Sequence, residues 1–183
     1  MEAAEASLEA GGINQLSLRR LARDLGVTAP ALYAYVADKR DLLAAIATRH
    51  FARLAARFDA VDAVDPLDRL RGLSRAYIDH ALESPALFHL MFRYPPVPVA
   101  GADVFPPAAV AFDAAMQATV AAVASGQLAV ADPLLASMTL WSAVHGVAEV
   151  LLLGISPDRA AADALVTSVI ETVLAGQVAP AVG

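Results

Sequence analysis

Apolar residues recur every three or four positions along most of this 183-residue chain, and no stretch carries a convincing two-residue alternation, so the pattern predicts an all-α fold of about nine helices. Leu18, Leu21, Ala22 and Leu25 put one apolar face on a short helix from about Ser17 to Asp24, with Arg19, Arg20 and Arg23 on its other sides. Ser17 is its natural N-cap, and Gly26 stands where the chain turns sharply. Thr28 caps a second short helix with Pro30 in its first turn, where a missing N–H forfeits no intrahelical bond. Leu32 and Val36 point back to the first helix, and Thr28, Ala29, Ala31, Tyr33 and Tyr35 stay on or near the outer side. Two short helices joined by a tight Gly-containing turn make a helix-turn-helix, the second helix being the one shaped to enter a major groove.

The same reading extends along the chain. Residues 1–10 read as a helix closed by Gly11 and Gly12. Asp38, with Asp41 three residues on, opens a long helix in which Leu42, Leu43, Ile46, His50, Leu54 and Phe58 form the apolar side and Arg49, Arg53 and Arg57 another. Asp65-Pro66, Ser84-Pro85, Asp132-Pro133 and Ser156-Pro157 each pair a capping side chain with proline at the first helical position. They predict helices over about 66–83, 85–92, 133–154 and 157–175, with another over 107–125. Between Tyr94 and Pro107 the prolines exclude a regular helix; this loop is either packed on the body, mobile, or a lid over a ligand cavity.

The Ser-Leu-Arg-Arg-Leu-Ala run from Ser17, Leu-Gly-Val at the turn, Pro-Ala-Leu-Tyr from Pro30 and Asp-Lys-Arg-Asp-Leu-Leu from Asp38 follow one another in the order and spacing of the N-terminal domain of TetR-family transcriptional regulators, which this stretch resembles. The resemblance covers roughly residues 1–58 and implies a DNA-binding head there, including the linking helix, with residues 59–183 as a regulatory and dimerisation body. It implies that Ser17, Arg19, Tyr33, Tyr35 and Lys39 face phosphate, Tyr33 having a core-edge alternative. Base readout falls to Thr28, Ala29 and Pro30, with Arg19 a further candidate. Those methyl and ring carbons offer little polar code, so DNA shape and half-site spacing are expected to carry part of the selectivity. Family members have a longer first helix preceded by basic residues, so no basic arm for the minor groove is expected here.

Charge sharpens this division. The chain carries a net −6, yet residues 11–58 hold eight basic side chains against three acidic, while residues 59–183 hold five against thirteen. Phosphates would meet a locally positive head and an acidic body. There is no cysteine and the start lacks the character of a secretory signal, so a cytoplasmic protein is expected; no transmembrane segment is read, because Ser142, His145, Gly146 and Glu149 break the Leu140–Ile155 stretch.

The last two helices are apolar on more than one side, with Leu140, Val144, Val147 and Leu151 in one strip and Val166, Ile170 and Val173 in another. A chain this size offers little surface to cover both, so these strips are expected to meet their symmetry mates in a homodimer, placing two heads on a pseudo-palindromic double-stranded operator. Trp141-Ser-Ala-Val-His145-Gly146 resembles the Trp-His-Gly signature of one body class found with such heads. Candidate lining for an effector pocket is Tyr77, Leu87, Met91, Phe92, Phe112, Met116, Met138, Trp141 and His145; each taken singly is more simply explained as core, and the collective case rests mainly on the resemblance.

His145 with Glu149 and His80 with Glu83 supply only two ligands each, so neither a metal nor another cofactor is expected. No Gly-rich phosphate loop, nucleophile elbow or zinc-protease motif gives catalysis a footing. The expected function is a DNA-binding regulator, a repressor released by a mostly apolar small molecule. The alternatives are a regulator without an inducer and a helical ligand-binding protein with a vestigial head.

Overall fold

Short polar side chains placed just ahead of the apolar repeats set most helix boundaries. The computed structural model describes residues 1–93, 106–156 and 158–178, with backbone alone over 106–110. Its helices are α1 (Glu2–Gln15), α2 (Leu18–Asp24), α3 (Ala29–Tyr33), α4 (Lys39–Asp59), α5 (Pro66–Glu83), α6 (Pro85–Arg93), α7 (Pro106–Ala124), α8 (Pro133–Leu152) and α9 (Arg159–Ala175). Among the described residues there is no strand, only an isolated antiparallel bridge between Leu128 and Val178. The fold is all-α.

Two boundaries differ from expectation. Gly12 does break the first helix, but helical turns resume beyond it to Gln15. The last helix takes Asp158 as its cap, the carboxylate accepting the Ala161 N–H at 2.8 Å, whereas the Ser156 hydroxyl donates to the Asp158 carbonyl. A carboxylate at a helix start gains from the dipole as well as the hydrogen bond, which favours Asp158 over the nearby serine. Pro157 and the Tyr94–Phe105 part of the expected loop or lid lie outside the described residues, while Pro106 and Pro107 already open α7.

Contacts gather the chain into two units, one of Met1–Arg53 with Ser84–Ala108, the other of Leu54–Glu83 with Ala109–Gly183. In the first, Ala4, Leu8, Leu16, Leu18, Leu21, Leu42, Leu43, Ile46, Leu87 and Leu90 form a buried core, with Leu32 and Val36 packed against it. α6 therefore joins the N-terminal helices, although a linear division after residue 58 assigns it to the body. Each fully buried Leu or Ile here contributes about 1.5–3 kcal/mol relative to exposure.

In the second unit α8 packs against α5 and α9. Leu140, Val144, Val147 and Leu151 are buried, as are Val166 and Ile170, while Val173 is half-buried. These strips are thus covered inside the single chain, which removes the argument that placed them at a dimer interface: α5 supplies the partner surface the sequence pattern did not assign. The exposed apolar residues of this region are others, Leu134, Leu135, Met138, Leu153, Ile155 and Leu165. By length and composition α8 is, among the described residues, the one helix apolar enough to cross a membrane, and about a third of it is buried in the chain.

Candidate nucleic-acid interface

Local hydrogen bonds build the α2–turn–α3 unit. The Ser17 hydroxyl accepts the Arg20 N–H at 3.5 Å and Thr28 Oγ1 accepts the Ala31 N–H at 3.3 Å. Between the helices Gly26 takes φ 67°, and the Val27 N–H reaches back to the Ala22 carbonyl at 2.9 Å while the Gly26 N–H reaches Arg23 at 3.0 Å. This paired closure needs a residue at ease with positive φ, which glycine is. α4 opens with a variant of the capping box, its return bond shifted one residue back: Asp38 Oδ1 accepts the Asp41 N–H at 2.8 Å, and Asp41 Oδ2 accepts the Ala37 N–H at 2.9 Å.

These joints leave α3 with no buried residue. Thr28, Pro30 and Ala31 are exposed and Ala29 is half-buried, while Tyr33 and Tyr35 are 47% and 86% exposed. The outer side of α3 thus offers methyl, ring and phenol groups, with the Thr28 oxygen accepting the cap bond. Beside it an open depression of about 420 Å³ is lined by Leu16, Ser17, Leu18, Arg19, Tyr33, Asp38 and Lys39. Four of the five expected phosphate contacts are therefore gathered around one depression. Tyr35 is not among its lining, and Asp38 adds a negative charge that the sequence reading did not place there. The Lys39 ammonium donates to the Ile13 carbonyl at 2.6 Å.

The positive charge of the first unit is unevenly available. Glu5, 7% exposed inside the N-terminal helix, takes Arg53 at 3.1 Å and Arg49 at 3.5 Å, and Arg49 also lies 3.6 Å from Glu2. Burial and the neighbouring Arg53 hold His50 below the usual histidine range, so this imidazole, 3.0 Å from Arg53, is neutral at neutral pH. Arg20 pairs loosely with Asp24 at 3.8 Å. Among the described residues of this unit Arg19, Arg23, Arg40 and Arg93 are exposed with no carboxylate at ion-pair distance, three of them on α2 and at the start of α4. The Glu5 clamp was missed from sequence. Its only signal is an acid beside Ala4 and Leu8 on a helix otherwise ordinary in charge.

Of the expected pocket residues, the second unit brings Tyr77, Trp141 and His145 together. Tyr77 Oη lies 2.7 Å from His145 Nδ1, the Trp141 indole stacks on the His145 ring with centroids 5.5 Å apart, and His145 Nε2 lies 3.9 Å from Glu149. Burial pushes the Tyr77 phenol up, so it remains protonated. Met116 approaches the buried Ser137–Thr119 pair, its sulfur 3.5 Å from the Ser137 hydroxyl. Phe112 is half-buried and Met138 is 39% exposed. Leu87 and Met91 are buried in the first unit, where Phe92 makes edge contacts with Phe51 and Phe88.

Comparison with known proteins matches this geometry. A family model described as bacterial regulatory proteins of the tetR family matches residues 1–46, and one described as a tetracyclin repressor-like C-terminal domain matches residues 70–173, more than half of the chain. No curated protein matches the sequence. Among solved structures, a protein with unknown function from Rhodococcus sp. RHA1 is 27% identical with a TM-score of 0.86, covering 97% of this chain and 93% of its own. The TetR family regulator PfmR from Thermus thermophilus is 20% identical with a TM-score of 0.72, covering 95% of this chain and 96% of its own. RolR, solved in complex with resorcinol, shares the fold at 16% identity and a TM-score of 0.64, covering 93% of this chain and 83% of its own. A helix-turn-helix with its reading helix laid bare, followed by a helical body that matches the family over most of its length, establishes that the chain belongs to the TetR family of DNA-binding transcription regulators.

Proposed function

We propose that the chain is a dimeric repressor that leaves a pseudo-palindromic operator when a mostly apolar small molecule binds its body, acting by binding and not by catalysis. The observation that carries the DNA half is the exposed α3 set beside a depression lined by Ser17, Arg19, Tyr33 and Lys39. Backbone contacts from that depression would fix register, and Thr28, Ala29 and Pro30 would touch base edges through carbon, leaving much of the selectivity to DNA shape.

For the dimer, the supporting feature is the outer side of the last two helices. Leu135, Thr139, Ser142 and Gly146 are exposed along α8, as is Leu153 at its C-cap, and Ala164, Leu165, Ser168 and Thr172 along α9. Small residues between leucines let helices approach closely, so this outer face, and not the buried Leu140 and Ile170 strips, is the surface offered to a second copy. For the effector, the stacked Trp141–His145 pair with the neutral Tyr77 phenol offers aromatic faces and few charges. The RolR complex makes small phenols the first class to screen.

Fluorescence anisotropy on DNA from the upstream intergenic region, against scrambled DNA at two salt concentrations, tests the reading. Tight binding that depends on sequence, by a species sedimenting as a dimer and released by an aromatic effector, is the expected result. Sequence-blind binding at both salts defeats the operator claim, and saturable DNA binding that no small molecule relieves favours a regulator without an inducer. A coupling of about 1–3 kcal/mol between effector and operator is the scale expected.

A further inference from the structure

Gly12 is the residue of α1 with non-helical dihedrals, φ 66° and ψ −178°. That backbone region is essentially closed to residues carrying a Cβ. A Cβ built there would meet nothing within 4 Å, so what glycine supplies is conformation and not room. The bend sets the direction of the last turn of α1. In that turn the Ile13 carbonyl accepts the Leu16 N–H at 3.3 Å and, from 26 residues further along the chain, the Lys39 ammonium at 2.6 Å. Lys39 lines the same depression as Ser17, Arg19 and Tyr33. An ammonium has three donors, so the bond to Ile13 leaves two for an incoming phosphate.

We propose that Gly12 is a positioning residue for DNA binding: its positive-φ backbone aims the Ile13 carbonyl so that the carbonyl holds the Lys39 ammonium over the phosphate-binding depression. The proposal rests on the reading that this depression takes DNA phosphate. A lysine stem is long and flexible, and its charge contributes most when its rotamer is fixed before the ligand arrives. The tether does that fixing through a main-chain oxygen, which no side-chain substitution at position 13 removes. It also gives the broken first helix a task, since a straight helix would carry the same carbonyl elsewhere.

Lys39 is the only lysine of the chain, so ¹⁵N-lysine labelling yields one side-chain ammonium signal. In the free protein that signal is expected to exchange slowly, as a hydrogen-bonded ammonium does, and in Gly12→Ala to become that of a mobile, solvent-exchanging lysine. On operator DNA, Gly12→Ala and Lys39→Met should each weaken binding about tenfold and lower the slope of log affinity against log salt by roughly 0.9. In the Lys39→Met background, Gly12→Ala should add nothing. A Gly12→Ala penalty undiminished without Lys39, or an ammonium signal indifferent to Gly12→Ala in a protein that binds DNA, overturns the tether. A responsive signal in a protein without salt-dependent DNA binding overturns the phosphate reading instead. Lys39→Met introduces no backbone strain, so an unchanged salt slope in that variant defeats the proposal even if Gly12→Ala folds poorly.

Discussion

α3 and α8 solve opposite problems. α3 has five residues and buries none of them, its start fixed by the turn at Gly26 and the Thr28 cap and its end by the Ala34 N–H on the Pro30 carbonyl, so its exposed side is an outcome of local chemistry. α8 has 20 residues, apolar on nearly every side, and its caps fix where it starts without fixing which way it faces. In α3 spacing alone separates the side that packs, through Leu32, from the side left exposed. In α8 the period of 3.6 offers several apolar strips, and only the neighbouring helices select the inner one. A recognition helix is therefore legible one residue at a time, whereas a body helix is legible only after its partners are known.

The comparison breaks most visibly at Leu140 and Leu135, five residues apart on α8. Leu140 is 5% exposed and Leu135 65% exposed in the single chain. Leu140→Ala should lower folding stability by about 2–5 kcal/mol, at any protein concentration, because it opens a cavity against the packed helices. Leu135→Glu should leave the helical content intact and instead shift sedimentation from dimer to monomer. If the two variants exchanged behaviours in urea titration and velocity sedimentation, the inner and outer faces of α8 would be exchanged too.

That contrast also explains what could be read beforehand. Ser17, Thr28, Asp38 with Asp41, Asp65 and Asp132 announce helix starts because a cap acts within three residues, and the helix over residues 66–83 was legible from its proline and its apolar repeat. His50 was placed on the apolar side of α4 by periodicity and is buried there. Interactions across long separations were not legible. Arg53 finds Glu5 across 48 residues and Arg71 finds Glu171 across 100, and neither pairing has any local trace. Ser156 and Asp158 are both good caps two residues apart, so composition alone could not choose between them. The residues gathered around the depression beside α3 were visible as a motif, yet the bond from Lys39 to Ile13 depends on a backbone conformation at Gly12 that no spacing rule conveys.

Within the body, Tyr77→Phe comes next in size. It removes the 2.7 Å bond to His145 Nδ1 from a buried setting, and such a loss costs about 1–3 kcal/mol. The midpoint of thermal unfolding should fall while DNA affinity in the absence of effector stays the same. In the head, Tyr33→Phe should show the reverse, with unchanged stability and operator binding weakened by about 1 kcal/mol for every sequence alike, since a phosphate contact carries no base code. A Tyr33→Phe protein that lost stability and kept its affinity would return Tyr33 to the edge of the core.

The smallest effect distinguishes the two units by their charges. Arg71 holds Glu171 through two bonds, Nε to Oε1 at 2.7 Å and a terminal guanidinium nitrogen to Oε2 at 2.9 Å, and this contact lowers the carboxyl below the usual glutamate range. A carboxyl whose folded value is depressed binds fewer protons folded than unfolded. Its contribution is therefore complete above about pH 4.5 and disappears as pH falls through the lowered value. Both side chains are more than a third exposed, so solvent screening limits the pair to less than about 1 kcal/mol. Glu171→Gln should lower the urea midpoint slightly at pH 7, less so in high salt, and the gap from the parent protein should close as the pH falls through the lowered carboxyl value. Were the deficit unchanged as the pH falls through that lowered value, the side chain would be contributing packing against α5 and not charge, and the bidentate geometry would owe its place to the helices that carry it.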